Sequence, residues 1–467
     1  MNAKAICYFF GKTNILVIFF SLFNILYCFY FDYESYVYYY LPCLTISLLF
    51  FFLTKKINFD KSKFGIYELI IFALFGWFIL PLLLSTPFYL GGYEDFLKSY
   101  YEAISGFTSF GATIFSENLS SFDTPILLWR SSTQVIGSIF YILTIILVLG
   151  NKEINIFPLK FITKKKESIS FFINFDLIFN NIIYAFSIIF LITLFFLNFT
   201  DLRMLDKFHL TFTIISTGGF VNKEILFSDF DKIVISILLI FSSLNIFLIL
   251  GLLKISNIYT FVEDRFFLFF LGIFLLLAIL LNQNLELNDV WIQFISAVSN
   301  SGINFTNNNH YSHFTFILIT LSFFGGCLLS SSSGFKLARI LILFNKVYYE
   351  LLKLLSPSVV INSSIFKSKE KIKINDFYSS ALLLVFFLIL FLLYSAVLSF
   401  EELSFKNSFI TSILLIFNTL PSSMYFEEGI NFANFSNFTI AVSILMLIIS
   451  KLTPLSILAL IRYKFIN

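Results

Sequence analysis

Apolar residues surround the helix on every side over stretches of roughly 20 residues, the length that crosses a bilayer. Such stretches lie near 13–31, 36–54, 65–85, 124–149, 176–198, 232–253, 265–281, 313–345, 377–399 and 437–460. The pattern predicts an all-α integral membrane protein with about ten spans. The run 313–345 is too long for one plain span, and Gly325, Gly326 and the serines Ser330–Ser333 interrupt it, so a broken helix is expected there. The first run has no small-residue cleavage site after it and reads as a retained span rather than a leader.

After two leading spans, in residues 1–60, one unit recurs four times, over 61–150, 151–260, 261–350 and 351–467. Each unit reads as span, half-apolar outer segment, span. The outer segments are YYEAISGFTSFGAT (100–113), HLTFTIISTGGF (209–220), WIQFISAVSNSGI (291–303) and SFITSILLIFNTLPSS (408–423). Each is too short to cross and ends in a cluster of Ser, Thr, Asn and Gly. Irregular backbone is tolerated at membrane depth only where protein buries it or a watery cavity borders it. Four re-entrant helices around a central pore meet that condition, with their turns facing one another. Backbone carbonyls in such a ring replace the hydration shell of a monovalent cation, and the partly negative helix C-termini point at the same place. Gly111, Gly219 and Gly302 occupy matching positions, as expected where turns approach closely.

Composition supports the membrane reading: 58% of residues are hydrophobic and 13% charged, and 68 are phenylalanine, more apolar surface than a soluble globule hides. A net charge of +3 points to neither nucleic acid nor acidic ligands. The four cysteines form no CxxC pair and the three histidines stand apart from possible co-ligands. No Ser-His-Asp constellation or HExxH run supports an enzyme, and without GxGxxG or a P-loop no organic cofactor is expected. Lysines gather in alternate loops, at Lys55, Lys56, Lys61 and Lys63, from Lys152 to Lys166, and from Lys346 to Lys373. By the positive-inside rule those loops and both termini are cytoplasmic. The outer loops carry carboxylates, Glu94, Asp95, Asp201, Asp206, Asp229, Glu286 and Asp289 among them, which raise the local cation concentration.

Several stretches resemble the Trk, Ktr and HKT superfamily of potassium transporters, most closely the Trk-type membrane subunit of bacteria. SGFTSFGAT (105–113) looks like its first filter loop, LLWRSSTQVIG (127–137) like the helix that follows, and ISTGGF (215–220) like the second filter loop. FGGCLLSSSSGFKLARILILF (324–344) is similar to the family's small-residue break in the third unit. The resemblance implies potassium uptake across the cytoplasmic membrane through a pseudo-fourfold pore formed by one chain. It further implies a homodimer and a separate cytoplasmic nucleotide-binding ring protein that gates it. The filter would comprise Thr108, Ser109, Phe110 and Gly111; Ser216, Thr217, Gly218 and Gly219; Ser299, Asn300, Ser301 and Gly302; and Asn418, Thr419, Leu420 and Pro421. An intramembrane gate would comprise Gly325, Gly326, Ser330, Ser331, Ser332, Ser333, Gly334 and Lys336, with Lys451 where the family places an arginine facing the cavity.

Two places depart from the family pattern. In FNTLPSS either the fourth glycine is lost and Pro421 follows directly, or Pro421 itself takes the filter position; both leave open a sodium-permeable or a transport-dead protein. ISKLTPL (449–455) keeps a charge at Lys451, but Thr453 stands where relatives carry a carboxylate. For Lys336 the choice lies between a gate role and snorkelling to the cytoplasmic headgroups, and for Lys451 between a barrier charge and plain packing. Arg130, beside Trp129, reads as an interfacial anchor.

Overall fold

The computed structural model describes residues 3–57, 66–115, 124–149, 175–221, 227–252, 262–281, 286–305, 312–355, 374–401, 403–426 and 430–452. Among these residues the regular structure is entirely helical. Two leading helices, α1 (Ala3–Tyr30) and α2 (Glu34–Lys55), lie against each other as a hairpin. The first unit follows with α3 (Ile66–Leu84), a single turn α4 (Thr86–Leu90), the short helix α5 (Phe96–Phe107) and α6 (Thr124–Leu149). The second has α7 (Phe175–Leu197), short α8 (Met204–Ser216), α9 (Asp229–Ser243) and α10 (Phe247–Leu252). The third has α11 (Val262–Leu281), short α12 (Leu287–Val298), α13 (Ser312–Phe324) and α14 (Leu337–Leu355). The fourth has α15 (Ile374–Leu398), short α16 (Phe405–Ile416), a 3-10 turn (Phe432–Asn434) and α17 (Asn437–Leu452).

Among the described residues six helices are long and apolar enough to cross a membrane: Ala3–Tyr30, Glu34–Lys55, Glu68–Leu90, Thr124–Leu147, Phe175–Leu197 and Asp376–Leu398. The chain is a multi-pass membrane protein. Two expected spans are interrupted. The run 313–345 divides into α13 and α14 around an irregular loop, as its glycines suggested. The run 232–253, expected as one span, also divides: α9 stops at Ser243, and Leu244 is extended at ψ 170° before α10 begins. The reason is a competing partner, since the Asn245 amide donates to Asp264 Oδ1 (2.9 Å) and the Ile246 amide to the Leu329 carbonyl (2.9 Å). The start of α9 is fixed by a capping box, with Ser228 Oγ accepting from the Asp231 amide and the Asp231 carboxylate accepting from the Ser228 amide. The end of the last predicted span, with Thr453, lies outside the described residues. So do Lys61, Lys63, Lys152 to Lys166 and Lys367 to Lys373, on which much of the orientation rests.

Packing closes the units into a ring. The second span of each unit lies against the short helix of the next: α6 against α8, α9 against α12, α13 against α16, and α17 back against α5. α6 is buried along its length and carries polar side chains on several faces. Around it sits an aromatic core. Phe9 meets Phe175 (4.4 Å between ring centres) and Phe72 (5.6 Å), Phe72 meets Phe140 (5.5 Å), and Trp77 meets Phe107 (5.0 Å). These contacts dock α1 and α7 onto the first unit and place rigid rings directly behind the first short helix. By contrast α15 turns Leu382, Val385, Leu388, Ile389, Leu392 and Leu393 outward, as a lipid-facing helix does.

Candidate functional site

Each short helix ends in a turn built to one plan. In the first three, a hydroxyl near the helix end reaches over the turn to the carbonyl seven residues on: Ser105 Oγ to Ala112 (2.5 Å), Thr213 Oγ1 to Phe220 (2.7 Å), Ser296 Oγ to Ile303 (2.8 Å). Four residues after that hydroxyl the backbone turns left-handed, at Ser109 (φ 59°), Thr217 (φ 48°) and Asn300 (φ 61°). Asn418 (φ 48°) does the same in the fourth turn, four residues after Leu414. Non-glycine residues adopt this conformation only where surrounding structure holds them in it. One more bond recurs: the Phe110, Gly218 and Thr419 amides donate to the Ser105, Thr213 and Leu414 carbonyls at 2.9, 2.9 and 2.8 Å.

This common frame sets the register of the four turns. Gly111, Gly219 and Gly302 fall six residues after their frame residue, and the counterpart in the fourth turn is Leu420, not Pro421. The four positions meet. A Cβ on Gly111 would stand 2.2 Å from Gly219 Cα, one on Gly219 would stand 2.7 Å from Leu420 Cβ, and one on Gly302 would stand 2.4 Å from the Leu420 carbonyl oxygen. No side chain fits at the three glycines without moving backbone, so the sequence requirement there is steric. The remaining expected residues build the frame. Thr108 Oγ1 donates to the Ile104 carbonyl and Ser216 Oγ to that of Phe212, while Ser299 and Ser301 both bond back to Ser296. Asn300 Nδ2 reaches Ser322 O (2.7 Å) on α13 and Thr419 Oγ1 (3.0 Å), and Asn418 Nδ2 reaches Ser450 Oγ (2.8 Å) on α17. Each asparagine thus ties its turn to a second span. Phe110 is fully buried with its ring edge-on to Phe432, and Gly218 backs onto Gln134.

Arg130 is no interfacial anchor. It is 4% exposed, and its Nε donates to Glu102 Oε1 at 2.7 Å, an ion pair between α6 and α5. Glu102 also accepts from the Ile114 amide (3.0 Å) and Thr113 Oγ1 (3.2 Å), so the carboxylate clamps the far end of the first turn. The guanidinium lies 4.0 Å from the centre of the Phe220 ring, in the second turn. Trp129 is likewise buried, its Nε1 donating to the Leu84 carbonyl. Further along α6, Gln134 Oε1, in the amide orientation that satisfies both partners, accepts from the Gly219 (3.3 Å) and Phe220 (3.1 Å) amides. Four residues separate Arg130 from Gln134, which sets them on one helix face. Glu102 and Gln134 were both present in the stretches quoted from the sequence, yet their partners lie in other elements.

The interruption between α13 and α14 is a compact knot. Gly325 (φ 63°) and Gly334 (φ 79°) pass back to back, and a Cβ on Gly325 would stand 2.2 Å from the Ser333 carbonyl oxygen. Ser332 Oγ accepts from the Gly326 amide (3.0 Å) and lies 2.7 Å from Ser330 Oγ. Ser331 Oγ donates to the Ser242 carbonyl at the end of α9. Lys336 does not snorkel. It is 1% exposed and left-handed (φ 77°), and its ammonium faces the carbonyls of Cys327 (3.1 Å), Ser330 (3.3 Å) and Ser332 with both serine hydroxyls. Lys451 Nζ donates to Ser333 Oγ (2.5 Å) and lies 4.5 Å from the centre of the Tyr141 ring on α6. Two carboxylates that sequence reading passed over complete the knot. Glu263 Oε1 accepts from the Leu328 amide (2.7 Å), and Asp264 binds the Asn245 amide and Cys327 Sγ. The available signal was three consecutive charges, Glu263 to Arg265, at the head of an otherwise apolar helix.

No family model matches the sequence. An uncharacterized cation transporter of Methanocaldococcus jannaschii is 23% identical over 332 residues, 70% of this chain and 69% of that protein. The Trk system potassium uptake protein TrkH of Salmonella typhimurium is 28% identical over 178 residues, which span 35% of this chain and 37% of TrkH. The crystal structure of the potassium transporter TrkH from Vibrio parahaemolyticus shares the fold over the full length of both chains, with a TM-score of 0.81 at 17% identity. The chain thus shares the fold of a potassium transporter and a limited sequence likeness to two cation transport proteins.

Proposed function

We propose that the chain conducts potassium ions through a pore along the axis of its ring of four units, with uptake across the cytoplasmic membrane as its role. The observation that carries this reading is the meeting of four like turns at one point, with glycine at three of them and a helix C-terminus behind each. Backbone oxygens so gathered, backed by partly negative helix ends, provide the field that compensates a monovalent cation for lost water. Thr108 to Gly111, Ser216 to Gly219, Ser299 to Gly302 and Asn418 to Pro421 form the filter. The knot from Gly325 to Lys336 is the gate, with Lys451 as a fixed positive charge beside it. The resemblance to Trk-type membrane subunits supports a homodimer working with a cytoplasmic nucleotide-binding ring protein, and the lysine-rich alternate loops support both termini in the cytoplasm.

Reconstituted into liposomes, the protein is expected to pass potassium down its gradient, with sodium passing more slowly. Equal potassium and sodium permeability would move the conclusion to an unselective cation pathway of the same fold. That second reading is favoured by one observation, the leucine in the fourth turn.

A further inference from the structure

Leu420 takes the glycine place of the fourth turn and brings a side chain into the meeting point. Its Cβ faces Gly219 of the second turn. In the ring order set by helix packing, the second and fourth units are not neighbours, so Leu420 reaches across the axis. Leu420 packs on two separate apolar clusters, which hold it there. A second observation concerns the oxygens. The Ser422 amide donates to the Leu420 carbonyl (2.9 Å), and Ser422 Oγ donates to the Gly302 carbonyl (2.5 Å). Of the four carbonyls in the glycine register, the two on neighbouring third and fourth turns already have a donor from one residue. A carbonyl oxygen has two lone pairs, so this donor competes with an ion rather than excluding it.

We propose that Leu420 is an aliphatic constriction inside the filter and that, together with Ser422, it limits both the rate of cation passage and the discrimination between potassium and sodium. The proposal rests on the cation-conduction reading above. An aliphatic constriction resists wetting, and on its side of the ring the Leu420 and Gly302 carbonyls, each already accepting from Ser422, return less to an ion that has shed its water. Ions crossing this level are compensated mainly by the first and second turns. A one-sided field distinguishes ion sizes less well than a closed ring.

The test is ion-specific flux through the full-length protein in liposomes, under a potassium or a sodium gradient. Wild type is compared with Leu420→Gly, Leu420→Ala, Leu420→Phe and Ser422→Ala, each checked for monodispersity and thermal stability. Flux is expected to rise in the order Phe, Leu, Ala, Gly, with Leu420→Gly at least about tenfold above wild type. The potassium-to-sodium ratio is expected to rise in Leu420→Gly and, with a smaller change in flux, in Ser422→Ala. Wild-type flux and ratio in both Leu420→Gly and Leu420→Ala would overturn the constriction alone, as would a fall in flux in both at wild-type stability. No cation flux through any variant would overturn the conduction reading with it.

Discussion

The ion pair between Glu102 and Arg130 sits in protein with almost no solvent contact, which makes it costly to break and informative to test. Removing either partner leaves the other charged and buried, a loss of about 3–5 kcal/mol for such pairs. Glu102→Ala and Arg130→Ala are each expected to lower the thermal unfolding midpoint, and the double variant to lose less than the sum of the two. Additive losses would show that the two side chains act separately. The same pair marks the limit of what single residues disclosed. The glycines at 111, 219 and 302 were legible because each recurs at one place in a repeated segment. Arg130 was misread because an arginine beside a tryptophan near a span end has a familiar interfacial meaning, and nothing in its neighbourhood reveals a carboxylate 28 residues earlier. The register of the fourth turn was illegible for a related reason. Loss of the glycine removed the marker, and only the backbone bonds of Asn418 and Thr419 restore the count.

Among elements, the break between α13 and α14 was visible as glycine and serine inside an apolar run, whereas the break between α9 and α10 was not. The polar residues at that break, Ser242, Ser243 and Asn245, come with no glycine or proline to mark a stop, and the helix ends because Asp264 and Leu329, from other elements, take its backbone bonds. The two breaks touch, through Ser331 to Ser242 and Cys327 to Ser243, so the knot is tied to two units. Gly325→Ala puts a Cβ against the Ser333 carbonyl at a left-handed position, whereas Gly272 on α11 has open space around it. Gly325→Ala is therefore expected to lower stability by about 1–3 kcal/mol, with Gly272→Ala close to wild type. Equal behaviour of the two in a thermal unfolding assay would show that the knot yields freely. Lys451 supplies the contact between this knot and α17. Lys451→Ala is expected to raise potassium flux by removing both the latch to Ser333 and a positive charge beside the ion path, while Lys451→Arg keeps the charge and stays closer to wild type. Reduced flux in Lys451→Ala at normal expression would count against the barrier role.

At the scale of the whole molecule, the fourfold repetition was readable as alternating spans and half-apolar segments, but repetition alone does not tell a ring from a row. Closure depends on the last unit meeting the first, and α17 does lie against α5. The seam is aromatic. Phe432, 3% exposed, lies 6.1 Å from the ring of Tyr101 and 5.9 Å from that of Phe110, one on the first short helix and one in its turn. Lipid tails are as apolar as these side chains, so the seam is held by close packing rather than by escape from water. Truncating a ring there leaves a void that rigid neighbours fill only in part. Phe432→Ala is expected to cost about 3 kcal/mol and to lower the unfolding midpoint in detergent. Phe438, 65% exposed on the same stretch of chain, gives a matched control whose truncation removes lipid contact alone. Because the ring closes at this seam, Phe432→Ala is also expected to loosen the first turn through Phe110 and to weaken the preference for potassium over sodium, which Phe438→Ala leaves intact. Equal losses of stability in the two variants, with selectivity untouched in both, would show that Phe432 does not brace the first turn.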